Sequence, residues 1–139
     1  MNDPYNLNRF IRAQSDIFDE VVAELRAGKK HSHWMWFVFP QLQGLGRSEV
    51  ARRYSITSIA EARAYLQHEI LGPRLRECSR SVSIIQNQSI EEIFGWPDYL
   101  KLHSSMTLFA RSTSDNQIFL LVLEKYFNGI EDQQTLDRL

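Results

Sequence analysis

Apolar residues recur at intervals of three and four along almost the whole chain, and one short run, Trp34 to Pro40 (WMWFVFP), is nearly unbroken. The first pattern is the buried stripe of amphipathic helices. The second fits a buried strand or a buried helical turn equally well. A strand needs a partner for its backbone N–H and C=O groups, and no second run of similar character exists to supply one. The chain is therefore predicted to be all-α, a single compact domain over residues 1–139 with about six to eight helices in an irregular arrangement.

Length and composition agree. With 139 residues there is room for one core and not for two lobes with a cleft between them. Leu, Ile, Val and Phe make up 40 of those residues, well above the share found in disordered chains. Such a core needs no metal or disulfide staple, and the single Cys78 has no internal partner.

Leu7, Phe10, Ile11, Ile17, Phe18, Val21, Val22 and Leu25 form the first stripe, which predicts a helix from about Pro4 to Ala27 with a break near Ser15. Asp3-Pro4 opens it and Gly28 closes it. Ser58 with Glu61, and Ser89 with Glu92, have capping-box spacing. Gly72-Pro73 bends or starts a helical segment carrying Leu75, Cys78, Val82 and Ile85. Pro97 suits the first turn of a helix bearing Leu100, Leu102, Met106, Phe109 and Ala110. Asn116 opens another, closed by Asn128-Gly129, and Thr135 to Leu139 forms a frayed final turn.

Sixteen Lys and Arg against seventeen Asp and Glu leave a formal charge of −1, so no global field holds nucleic acid or an anionic membrane, and neither is an expected partner. No run of 18 apolar residues occurs, and MNDPYNLNRF lacks the basic start and apolar stretch of a signal peptide. The expectation is a soluble cytoplasmic protein with a reduced Cys78.

The candidate chemistry gathers around the tryptophans. In KKHSHWMWFVFPQLQGLGRS, Trp34 or Trp36 can stack on a planar ligand while Lys30, His33, Gln41, Arg47 and Ser48 supply polar contacts. The competing reading makes the aromatics core and sets Lys29 and Lys30 against the negative end of the first helix. Gly44-Leu45-Gly46-Arg47-Ser48 precedes a helix from about Ser48 to Tyr54, so backbone and Arg47 can face an anion, although it is neither a dinucleotide fingerprint nor a P-loop. The second cluster runs from Trp96 through Lys101, His103, Ser104 and Ser105. Lys101 and Ser105 share a helix face, a spacing open to a Ser-Lys nucleophile but better suited to packing or ligand contact. His31 and His33 lack the further ligands of a metal site, and no metal or cofactor is expected. His33 alone is a candidate acid/base, against a plain structural histidine. Asp19-Glu20 and Glu91-Glu92 do not face each other on a helix and form no acid/base dyad.

DPYNLNRFIRAQ, KKHSHWMWFVFPQLQGLGRS, LGPRLRECS and EEIFGWPDYLKLHSSMTLF together resemble a bacterial domain-of-unknown-function family of small all-helical proteins marked by KxSHWMWFxFPQxxGLGRS. The resemblance runs from about Asp3 to Leu136 and implies a mostly helical single domain, with no established activity, cofactor or catalytic residue. Some members carry the label calpastatin; calpastatin proper is a largely disordered protease inhibitor, unlike this aromatic-rich chain. The resemblance also puts His103 where arginine is common, which argues against a general catalytic role for it.

The function expected from sequence is a polar-aromatic pocket for a small anionic or nucleotide-like ligand, with hydrolase or transferase chemistry left open. Its residues are Lys30, His33, Trp34, Trp36, Gln41, Arg47, Ser48, Trp96, Lys101 and Ser105. The alternative is a non-catalytic protein-interaction or oligomerisation module with an exposed aromatic or leucine-rich face.

Overall fold

The computed structural model describes residues 2–139. Among them the chain forms ten helices and no strand: α1 (Asn8–Ser15), α2 (Phe18–Arg26), α3 (Met35–Val38), α4 (Glu49–Arg53), α5 (Ile59–Gln67), α6 (Leu71–Ser83), α7 (Ile90–Phe94), α8 (Asp98–Ser112), α9 (Gln117–Phe127) and α10 (Gln133–Arg138). The all-α expectation holds, with more helices than the six to eight read from sequence. The excess comes from the first stripe, which forms two helices, α1 and α2, and from the four-residue α3, too short to show a stripe of its own.

The break in the first stripe has a physical cause. Gln14 is buried, and its amide donates to the Phe37 carbonyl at 2.7 Å and to the Tyr65 hydroxyl at 3.1 Å. A polar residue thus ties α1 to α3 and α5 at the point where the chain bends into α2. Among the serine caps, Ser89 and Glu92 form the full reciprocal box. Ser58 accepts from the Glu61 amide, but the Glu61 carboxylate turns to Thr57 and to Arg9 at 2.9 Å, which carries α1 onto α5. At the end of α9, Asn128 and Gly129 both adopt positive φ and the Gly129 N–H returns to the Leu123 carbonyl, as a left-handed helix stop requires.

α8 is the axis of the molecule, packed against α5, α7, α9 and α10. Nine of its fifteen residues are buried, with Leu102, Met106, Leu108 and Phe109 fully so. Four of the nine are Ser or Thr, and the hydroxyls of Ser104, Thr107 and Ser112 are satisfied by donating to carbonyls one turn back in the same helix. No helix is long and apolar enough to cross a membrane among the described residues.

The α5–α6 corner depends on one glycine. A β-carbon built on Gly72 meets the Leu66 carbonyl oxygen at 2.1 Å, and backbone cannot swing away as a side chain can. Gly72→Ala is therefore expected to lower stability by about 1–3 kcal/mol, read as a lower urea midpoint at unchanged slope.

Candidate functional site

The site begins with Glu24, in the last turn of α2. Its Oε1 accepts hydrogen bonds from the His31 and Ser32 amides at 2.8 and 3.0 Å and from the Trp34 indole at 2.9 Å, while Oε2 accepts from the Ser32 hydroxyl at 2.6 Å. Burial pushes the Glu24 pKa up, but these bonds to the charged form outweigh it and bring the value down to about 2. Trp34 is thereby drawn inside, 1% exposed, with its ring tilted against Phe39 and edge-on to Phe94. Two residues along a helical turn is about 200° of rotation, so Trp36 leaves on the opposite side of α3.

There Trp36 meets α8. The Lys101 ammonium lies 3.7 Å from the centroid of the Trp36 ring, and the Lys30 ammonium 4.9 Å from that of Trp34. One carboxylate joins the two lysines: Asp98 Oδ2 is 2.8 Å from Lys30 and Oδ1 is 3.1 Å from Lys101. Burial raises the Asp98 pKa, and the hydrogen bonds from Lys30 and Lys101 more than reverse this, holding it below the usual aspartate value. Two ammonium groups on one carboxylate leave this trio with one positive charge in excess, while the Asp132 carboxylate, without a cation partner, lines the adjoining cleft.

That charge borders a cleft of about 240 Å³. Trp36, Leu45 and Leu100 give it apolar walls, and Gln41, Lys101, Ser104, Asp132 and Gln134 give it polar ones. Gln41 is held by its carbonyl, which accepts from the Ile56 amide at 2.8 Å beside an isolated parallel bridge between Leu42 and Ile56. Gly46 lets the loop pass Trp36, since a β-carbon there would lie 3.2 Å from the indole and 2.5 Å from the Ala51 side chain. Asp132 caps α10 through the Thr135 amide and accepts from the Ser104 hydroxyl at 3.1 Å.

Of the residues read from sequence, Trp36, Gln41 and Lys101 line this cleft, and Lys30 stands behind Lys101 through Asp98. The others lie elsewhere. Trp34 is core, and the Ser48 hydroxyl caps α4 by accepting from the Ala51 amide. Arg47 lines a neighbouring concavity of about 470 Å³ beyond Gly46. His33 is exposed and outside the cleft, and Trp96 is 77% exposed next to Pro97 at its rim. Ser105 is fully buried and its hydroxyl has no hydrogen-bond partner, Lys101 included, so the two do not form a nucleophile pair. His103 stacks on Phe127 at 4.1 Å and bonds the Ile130 carbonyl, which gives it a structural role. Cys78 is buried, and burial pushes its thiol up to about 12, as suits a small core residue. Sequence reading missed Glu24, Asp132 and Gln134, and Asp98 fell within the second cluster without a role assigned to it.

Residues 4–139 match one protein family from end to end. The chain belongs to DUF1810, a family of proteins of unknown function. A DUF1810-like fold has been solved crystallographically: the conserved hypothetical protein Rv1873 from Mycobacterium tuberculosis is 60% identical, with a TM-score of 0.98 over 99% of this chain and 98% of that one. Comparison with curated proteins gives no match. Neither DUF1810 membership nor the solved relative assigns a reaction or a ligand, so the chemistry has to come from the residues themselves.

The two lysines differ in burial, Lys30 being 6% exposed and Lys101 18%. Lys30→Met is expected to cost about 2–4 kcal/mol, because it strips a buried ion pair of one partner. Lys101→Met, at the water-facing end of the same trio, is expected to cost under about 1 kcal/mol. Urea unfolding of the two variants separates these outcomes.

Proposed function

We propose that this protein binds a small anionic or nucleotide-like molecule in the cleft between α3, the 41–46 loop, α8 and α10. One observation carries the proposal: Lys30 and Lys101 share the single carboxylate of Asp98, which leaves that trio one positive charge in excess beside a concavity walled by Trp36, whose lining also holds the Asp132 carboxylate. Lys101 is positioned for an anionic group, and the indole edge with Leu45 and Leu100 suits a flat apolar body. Gln41, Gln134 and Ser104 offer both donors and acceptors, as recognition of a base or sugar requires. Ser104 donates to Asp132 in the cleft, but that carboxylate oxygen is engaged by the Thr135 amide and hydroxyl as the cap of α10, so binding is the activity proposed and no reaction is assigned.

A second reading, a protein-interaction surface, is favoured by Trp96 at 77% and Leu100 at 45% exposure on the cleft rim. The two readings separate in a thermal-shift screen of AMP, ADP-ribose and glucose 6-phosphate against wild type, Lys101→Met, Trp36→Phe and Trp96→Ala. Expected is stabilisation by at least one of these, approaching about 2.7 kcal/mol at a hundred times Kd. Lys101→Met should weaken that affinity about tenfold, Trp36→Phe should weaken it less, and Trp96→Ala should leave it unchanged. No stabilisation by any of the three compounds, or an effect indifferent to Lys101, would refute the cleft as a ligand site.

A further inference from the structure

On the far side of Gly46 from Trp36 lies a second concavity of about 470 Å³, lined by Arg47 and Arg52 with Gln43, Ser55 and Thr57. Its floor includes Gly44, whose φ of +89° is open to glycine and strained for other residues. Outside that lining, Arg138 of α10 packs its guanidinium against Gly44, where a β-carbon would collide with it. The 43–47 loop and the adjoining α4 thus place two arginines on one concavity, and chain-distant α10 brings a third against Gly44 of its lining.

These arginines have no counter-charge. Among the described residues every ion pair uses another cation, and no carboxylate comes within 4.0 Å of Arg47, Arg52 or Arg138. Glu61, reached through the Thr57 hydroxyl, is already paired with Arg9, and Glu49 of α4 does not line the basin. In a chain of net charge −1, converging unpaired guanidinium groups make a local positive field, and their planar forks match the oxygens of phosphate.

We infer that this arginine basin is a phosphate-binding site, taking inorganic phosphate or the phosphate group of an ester. It stands on residues separate from the Trp36 cleft, yet Gly46 lines both, so an ester held here by its phosphate directs its remaining part towards Trp36 and Lys101.

The test is a nitrogen–proton NMR titration of the intact chain with inorganic phosphate, adenosine and AMP at about 0.15 M salt, where weak surface attraction is screened. Phosphate and AMP are expected to move the amides of residues 43–47 and the side-chain N–H signals of Arg47 and Arg52 saturably. Arg47→Gln/Arg52→Gln should weaken phosphate at least about tenfold, whereas Arg26→Gln/Arg80→Gln, the same charge change elsewhere, should leave it unaltered. Tighter binding of AMP than of phosphate, with movement of the Trp36 indole, identifies the ester as the source. Equal affinities identify free phosphate. Phosphate shifts scattered over surface cations, or equal weakening by both double variants, would overturn the inference. Adenosine moving Trp36 while phosphate leaves the basin silent overturns it too, yet spares the cleft. Phosphate at the basin with Trp36 unmoved by adenosine and AMP upholds the basin and defeats the cleft.

Discussion

A carboxylate buried near the end of α2 governs how the distinctive half of this molecule is arranged. Glu24 gathers two backbone amides, a hydroxyl and an indole N–H from residues 31–34. A buried charge is tolerable only when its oxygens are saturated in this way. The loop after α2 is thereby wound around one point, and Trp34 is committed to the core because its only polar atom already has a buried partner. Everything outward of it follows from helical rotation: Trp36 faces α8, and Lys30, just before the wound loop, reaches Asp98.

Ion pairing then continues the arrangement. Asp98 opens α8 and holds one lysine from the α2–α3 loop and one from its own first turn, each over the face of a different tryptophan. Such a trio contributes little net stability compared with apolar packing, but it fixes where a charge sits. Charge placement is what the cleft and the arginine basin share. One has a lysine in surplus over its carboxylate, the other has arginines with none, and a single glycine separates them. A protein of nearly neutral charge thus sets unbalanced cations on either side of Gly46 in the 41–47 loop.

Periodicity and caps were enough to read most of the helices, because stripes, Ser-x-x-Glu spacings and Asn-Gly stops are local signals. The Gln14 gap was visible as a break, though not as the tie to Phe37 and Tyr65 that explains it. WMWFVFP was legible as buried and unpaired, yet not the division that sends Trp34 inward and Trp36 to the cleft. That division depends on Glu24, ten residues earlier, half of whose hydrogen bonds come from backbone amides, which leave no trace in residue type. Asp132 and Gln134 are about ninety residues from Gln41, and only the packing of α10 on α8 brings them together. Ser48 and Ser105 were chemically plausible hydroxyls, but one is consumed by capping and the other is sealed in the core.

The most direct measurement is a carbon NMR titration of the Glu24 side-chain carboxyl in the folded protein. A midpoint near 2, well below the ordinary glutamate value of 4.5, is the expected result. Since the folded pKa is depressed, Glu24 contributes stability that is fully present above about pH 4.5 and is lost as pH falls towards 2. Glu24→Gln should accordingly flatten the acid limb of the stability curve while lowering stability at neutral pH. A Glu24 midpoint near 4.5 would contradict the central role given to this carboxylate.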